Sequence, residues 1–349
     1  MYAPKQVLTN DDLAQRVDTS DEWIRTRTGI ARRHVADAHE ATASMAIEAA
    51  QAALQEADAD PRDIDLIIVG TVTPNHAMPS TSCLVQDALG AIHAAAFDLN
   101  AGCSGFVYAL SMGQQAIASG EYNLVLVIGA DTLTRALDWH DRSTCVLFGD
   151  GAGAVLLRAT EGPAGIQASI LGSDGSGGQL LTIPAGGSAL PATRETVEQG
   201  LHYIQMNGQE VFRFATTIMA QATEQVVAKA GWRLEDVDLI VPHQANMRII
   251  SSASKRLKLP MERFVTNLEE YGNTSAASIP IALCEAIEEH GPRSCGAEIS
   301  QGMALALLSM GRLAQPDAAG HAARDGVVHP QGRSSGAQVT PIGARHHSV

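Results

Sequence analysis

One short pattern occurs twice at a constant spacing, and it limits what this chain can fold into more than any other feature. A helix-forming run, Ala41 to Ala57, leads through Pro61-Arg62-Asp63-Ile64-Asp65 into the apolar run Leu66-Ile67-Ile68-Val69-Gly70. A second run, Phe214 to Ala230, leads through Leu234-Glu235-Asp236-Val237-Asp238 into Leu239-Ile240-Val241. Asp63 and Asp65 map onto Asp236 and Asp238 at one offset of 173 residues. A short unbroken apolar run after a helix reads as a strand covered on both faces, the pattern of a largely parallel sheet. An internal duplication of one α/β unit follows, predicting two halves of about 150–170 residues each.

Further strands are predicted over Ala94 to Asn100, Tyr122 to Ala130, Cys145 to Phe148 and Ala154 to Leu157. The last two flank Gly149-Asp150-Gly151-Ala152-Gly153. A dinucleotide loop joins a strand to a helix, whereas this string joins two strands, so it is read as a hairpin and not as a nucleotide site. Asn10 to Val17 reads as a short helix with Asn10 as its N-cap, and Asp18 to Trp23 as a second helix start. Pro184 to Gly200, rich in Gly, Pro, Thr and Glu, reads as a surface excursion. From about Pro316 to Val349 no apolar period remains, and the expectation there is disorder.

Composition excludes several function classes. A net charge of −14 argues against general nucleic-acid binding, and it requires any acidic partner to find a local basic patch. No apolar run approaches the ~18 residues of a spanning helix. The N-terminus lacks the apolar core of a secretory signal, so a soluble, cytoplasmic protein with no membrane association is expected. Five cysteines with no paired spacing fit neither a disulfide framework nor a zinc site. Cys83, Cys145 and Cys284 are read as core residues.

Cys103 is different. It sits in Ala101-Gly102-Cys103-Ser104-Gly105-Phe106, between a predicted strand and a helix from Val107 to Ser119. Unpaired N–H groups at such a junction favour a thiolate, so a lowered thiol pKa and a nucleophilic role are expected. Two further polar clusters follow strand or loop ends. They are Pro242-His243-Gln244-Ala245-Asn246, and Tyr271-Gly272-Asn273-Thr274-Ser275 with Ala276-Ala277-Ser278. Active sites of open α/β sheets collect at the carboxyl ends of strands. Singly, His243 reads equally as a core histidine and Asn273 as a cap; with Cys103 they form a Cys/His/Asn set. Arg25, Arg27, Arg32 and Arg33 read as a solvated basic stretch, or, with Trp23 beside Arg27, as a grip for an anionic aromatic ligand.

These motifs, together with Thr26-Arg27-Thr28-Gly29-Ile30 and Phe148-Gly149-Asp150-Gly151-Ala152-Gly153, resemble the β-ketoacyl-acyl-carrier-protein synthase III family over about Tyr2 to Glu289. The resemblance implies a thiolase-like α/β fold: two duplicated βαβαβαββ halves in an αβαβα layering. The halves would span 1–160 and 161–312, with 313–349 as an aberrant tail. It implies decarboxylative condensation of an acyl-CoA primer, acetyl-CoA first among candidates, with malonyl-acyl carrier protein through an acyl-cysteine. Cys103, His243 and Asn273 would be catalytic. Trp23, Arg27, Arg142, Met206, Gly208, Phe212 and Asn246 would hold coenzyme A. Gln244, Arg248, Lys255, Arg256 and Lys258 would receive the carrier protein, although a solvated helix face is the ordinary meaning of such a cluster. A homodimer is implied, with Met78 reaching the partner's acyl pocket, and neither a metal nor a permanently bound cofactor. Open alternatives are a sibling condensing enzyme of polyketide or long-chain metabolism, and an inactive truncated paralogue.

The resemblance breaks at both ends. Relatives carry a buried strand ahead of the segment matching Tyr2-Ala3-Pro4. They close with a Gly-rich loop whose backbone N–H completes an oxyanion hole with that of Cys103. Arg293 onward reads Ser294-Cys295-Gly296-Ala297-Glu298-Ile299-Ser300, without that loop. The expectation is a start assigned too late and a frame change near Pro292, with Met303 to Met310 forming a strand or a short helix.

Overall fold

The computed structural model describes residues 1–159 and 165–290, together with the backbone of Met303 and Ala304. The expectations for the rest of 291–349, including the tail and Cys295, lie outside the described residues.

The chain opens with β1 (Gln6–Thr9), α1 (Asn10–Ala14), α2 (Asp21–Thr28) and β2 (Arg32–Val35), with β1 antiparallel to β2. Next come α3 (Thr42–Glu56), β3 (Leu66–Gly70), α4 (Thr81–Leu89), β4 (Ala95–Leu99) and α5 (Gly105–Ala118). Then follow β5 (Leu124–Thr132), the short α6 (Arg142–Cys145) and β6 (Asp150–Arg158). The four main strands form one sheet in the order β4-β3-β5-β6. β4, β3 and β5 run parallel, and β6 runs antiparallel to β5.

Strand alternation explains the layering. Ile67, Val69, Leu126, Ile128 and Ala130 point to one face, where Met45, Ala46, Ala49, Ala50 and Leu54 of α3 cover them. Leu66, Ile68, Val125 and Val127 point to the other, against Phe106, Val107, Ala109 and Leu110 of α5. An unbroken apolar strand is therefore a strand between two helical layers.

The second part of the chain contributes β7 (Leu181–Thr182), α7 (Arg194–Glu198), β8 (Gln205–Met206), α8 (Gly208–Lys229) and β9 (Leu239–Ile240). It continues with α9 (Met247–Leu257), α10 (Leu268–Tyr271), α11 (Ser278–His290) and β10 (Met303–Ala304), which pairs parallel with β9. Both copies of the duplicated pattern take the same form. A single 3-10 turn, Pro61–Asp63 or Leu234–Asp236, follows a long helix and leads into a strand. α11 lies on the α5 side of the main sheet, burying Ile279, Ala282, Leu283 and Ala286 in that shared core. The second part thereby reaches under the nucleophile of the first.

Six local expectations are corrected. α1 is capped by Thr9, which exchanges hydrogen bonds with Asp12; Asn10 is buried and donates to Asp21 and to the Ile30 carbonyl. α8 begins at Gly208, six residues earlier than Phe214, because the Asn207 side chain accepts from Glu210 N–H and starts the helix there. Residues 142–145 are helical, and the glycine string lies inside β6 instead of at a hairpin tip. Its glycines make room for α11: a Cβ on Gly151 would sit 2.8 Å from Ile281 and one on Gly153 2.6 Å from Pro280. Arg33 is fully buried, donating to the carbonyls of Leu8 and Val146 and to Asn10. Cys83 is exposed, because α4 turns Thr81, Ser82 and Val85 inward.

Candidate active site

Cys103 lies in the turn from β4 to α5, where Ser104 N–H donates to Ala101 O and Gly105 N–H to Gly102 O. Gly105 rests against Gly70 at the end of β3, and a Cβ on Gly70 would fall 2.5 Å from the Gly105 carbonyl carbon. This close approach presses the start of α5 onto the carboxyl end of the sheet. Cys103 is half-buried. Burial and, secondarily, the neighbouring Asp131 carboxylate push its thiol up to about 11, against the opposing hydrogen bond from Ser275. The expected lowering by the helix terminus is thus overturned: partial charges at one turn do not repay the desolvation of a thiolate beside a buried acid.

His243 follows β9. Its Nδ1 lies 2.6 Å from Ser278 Oγ, and that oxygen also accepts from Gln244 N–H at 3.4 Å. A Ser278 hydroxyl donating to Nδ1 would place the ring proton on Nε2. Burial lowers the imidazole to about 4, so it is neutral at pH 7.

Asn273 is buried, and its backbone is clamped to the 147–149 segment: N–H to Leu147 O at 2.8 Å, and O from Gly149 N–H at 3.0 Å. Its side-chain oxygen accepts Ser275 N–H at 2.9 Å, which leaves the amide NH2 as the donor end of the side chain. Two residues on, the Ser275 hydroxyl donates to Cys103 Sγ at 3.5 Å. One stretch, 273–278, therefore carries Asn273 and touches both Cys103 and His243.

Asp131, at the end of β5, is the residue that sequence reasoning missed. Fully buried, it accepts from Thr71, Val72 and Thr73 on one oxygen and from Ala276 N–H at 3.0 Å on the other. It thereby ties the 273–278 stretch to the sheet. The one signal for it was an acid closing an otherwise apolar strand.

Of the residues expected to hold coenzyme A, three meet at the surface. The guanidinium of Arg142 stands 4.9 Å and that of Arg27 5.8 Å from the Trp23 ring centre. Arg142 also donates to Asp18 O. Phe212 is stacked by Arg248 at 5.3 Å. Met206 lies in β8 and Gly208 opens α8. Asn246 is engaged structurally, capping α9 at Arg248 N–H and donating to Arg27 O. Arg248, Lys255, Arg256 and Lys258 are all exposed on α9 and its C-cap. Gln244 is corrected: it is 1% exposed. Its amide donates to Pro242 O and Val265 O and accepts from Asn267 N–H, so it braces the loop and presents nothing to a protein partner.

Residues 97–175 match the family model for 3-oxoacyl-[acyl-carrier-protein] synthase III, and residues 227–312 match that family's C-terminal model. The β-ketoacyl-[acyl-carrier-protein] synthase III of Caldanaerobacter subterraneus subsp. tengcongensis is 55% identical over 285 residues, covering 82% of this chain and 86% of the relative. That of Symbiobacterium thermophilum is 57% identical over 289 residues, covering 83% and 88%. The chain belongs to the β-ketoacyl-[acyl-carrier-protein] synthase III family. The crystal structure of the family member from Aquifex aeolicus superposes with a TM-score of 0.76 at 49% identity, covering 83% of this chain and 89% of that one. The fold is thus thiolase-like, of mixed α/β class. No helix among the described residues is long and apolar enough to cross a membrane.

Proposed function

We propose that this synthase III family member initiates fatty acid synthesis, joining an acyl-CoA primer such as acetyl-CoA to malonyl-acyl carrier protein. The observation that carries the reading is the double contact of the 273–278 stretch, Ser275 with Cys103 and Ser278 with His243. In the first half-reaction Cys103 sulfur attacks the thioester carbonyl of the primer. The carbon–sulfur bond to coenzyme A breaks, coenzyme A leaves with the thiol proton, and an acyl-Cys103 remains. In the second, malonyl-carrier protein loses carbon dioxide, and the electron pair of the broken bond becomes an enolate. His243 Nε2–H and the Asn273 NH2 supply two neutral donors for the enolate oxygen. The enolate carbon then attacks the acyl-Cys103 carbonyl, forming the new carbon–carbon bond as the carbon–sulfur bond to Cys103 breaks; the sulfur leaves with that electron pair and takes up a proton from solvent.

Neutrality of His243 at pH 7 supports this assignment, because burial keeps it a donor without charge. The paired guanidinium groups on Trp23 suit the phosphate and adenine end of coenzyme A. On a chain of net charge −14, the basic face of α9 suits an acidic carrier protein. The same reading takes residues 1–160 and 161–312 as related halves, the first giving the nucleophile and the second His243 and Asn273. It requires no resident cofactor or metal, places the enzyme in the cytoplasm and pairs it as a homodimer. Exposed Phe97 in β4, an end strand of the sheet, and Ile92 just ahead of it support the pairing.

The test combines the purified chain with acetyl-CoA and malonyl-carrier protein, following Cys103 acylation by intact mass and carbon dioxide release. Both events are expected. Acylation without carbon dioxide release would remove His243 and Asn273 from the decarboxylation step. The absence of both would overturn the reading and favour an inactive relative.

A further inference from the structure

Ser275 stands out among the residues around the nucleophile. Its backbone adopts φ +51°, a left-handed conformation that costs a non-glycine residue about 1–2 kcal/mol. Contacts on every side hold it there. Its N–H donates to Asn273 Oδ1 at 2.9 Å, and its hydroxyl donates to Cys103 Sγ at 3.5 Å. The next N–H, of Ala276, is fixed 3.0 Å from Asp131 Oδ2 at the end of β5. Ser275 itself is buried. Strain maintained by surrounding contacts at a reactive centre points to a working part, not an accident of folding.

We propose that Ser275 is a positioning residue for acyl capture: its hydroxyl holds the Cys103 sulfur and donates to it as negative charge develops there. Through its N–H the same residue keeps the Asn273 side-chain oxygen occupied, so sulfur and amide are registered by one turn. The proposal rests on the reading of Cys103 as the acyl acceptor. The electrostatic need is clear from the neighbours. Among the described residues Asp131 of β5 opposes a thiolate at the sulfur, its own carboxyl raised by burial and held by hydrogen bonds that include the Ser275 side chain, and His243 on the β9 side is neutral. The Ser275 hydroxyl lies within reach of both the sulfur and Asp131, so its one proton turns to the sulfur as negative charge develops there.

The test separates the hydroxyl from the backbone. Ser275→Gly keeps access to positive φ and the N–H bond to Asn273 but removes the hydroxyl. Ser275→Ala removes the hydroxyl and keeps the backbone cost. Two rates are followed, iodoacetamide alkylation of Cys103 between pH 7 and 10, and acylation by acetyl-CoA. Ser275→Gly is expected to slow both about tenfold at fixed pH, the effect of losing one hydrogen bond to a charged group. Malonyl-carrier protein decarboxylation should stay within about twofold, since the Asn273 contact survives. Ser275→Ala, which also keeps the N–H bond to Asn273, should slow the same two rates and leave decarboxylation within about twofold. Wild-type alkylation and acylation rates in Ser275→Gly would overturn the proposal. Equal loss of decarboxylation in Ser275→Gly would overturn it too, reducing Ser275 to a structural role. Alkylation needs no substrate, so a wild-type chain that fails to condense still reports on the Ser275 contact.

Discussion

Burial acts on Cys103 and His243 in opposite directions and brings both to the neutral form. It raises the thiol to about 11 and lowers the imidazole to about 4. For His243 the consequence for folding has a definite sign. Between pH 6.5 and 4 the unfolded chain binds a proton that the native histidine does not, so stability falls as pH falls through that window. Urea unfolding of wild type and His243→Asn from pH 8 to 4 checks this. The advantage of wild type over the variant should shrink on acidification, and a constant difference would remove His243 as the cause. For Cys103, replacement by serine is expected to abolish acyl capture, since a serine hydroxyl lacks the nucleophilicity of sulfur without an adjacent base. Intact mass after incubation with acetyl-CoA reads it directly, and full retention of acyl transfer would exclude Cys103 as the nucleophile.

At the scale of elements, the site depends on two places where backbone meets backbone. α5 starts against Gly70, and the 3-10 turn Ser275–Ala277 packs on Gly129 of β5, where a Cβ would fall 2.2 Å from Ala276 O. Neither neighbour is a flexible side chain that can swing away. Gly129→Ala must therefore push the 273–278 stretch off the sheet. A stability loss of about 1–3 kcal/mol or more is expected, as for other overpacked cores. Because that stretch touches Cys103 and His243, Cys103 acylation should fall further than the unfolded fraction accounts for. Urea denaturation paired with acylation by mass measures both, and a loss confined to stability would contradict the coupling.

For the whole molecule, charge and apolar surface are distributed unevenly. An acidic chain presents Arg248, Lys255, Arg256 and Lys258 together on one helix and its cap. Lys255→Glu with Arg256→Glu should raise the KM for malonyl-carrier protein on the order of tenfold, in a salt-sensitive way, and leave alkylation of Cys103 unchanged. An unchanged KM would move the carrier-protein surface elsewhere. Phe97, at 41% exposure, lies in β4 at the end of the sheet, and Ile92, at 68%, just ahead of that strand. If this edge pairs two copies, Phe97→Asp should shift the sedimentation of the protein toward the monomer, and unchanged sedimentation would remove this edge as a pairing surface.

Short unbroken apolar runs after helix-forming segments were enough to determine the main strands, their two helical covers and the repeated helix–turn–strand unit, because side-chain pattern and run length are local properties of a segment. The same holds for Cys103, whose strand-to-helix junction was legible from its flanks. Other outcomes depended on what lies far away in sequence. Gly151 and Gly153 belong to a strand and not a hairpin because α11, more than a hundred residues on, needs the space. Gln244 braces a loop because Val265 and Asn267 fold over it. The ionisation of the site was likewise decided only in three dimensions. A helix start favours a thiolate, but the desolvation of the sulfur and, behind it, the buried Asp131 outweigh it, and a pKa sums all surrounding charges and lost water, wherever in the chain they come from.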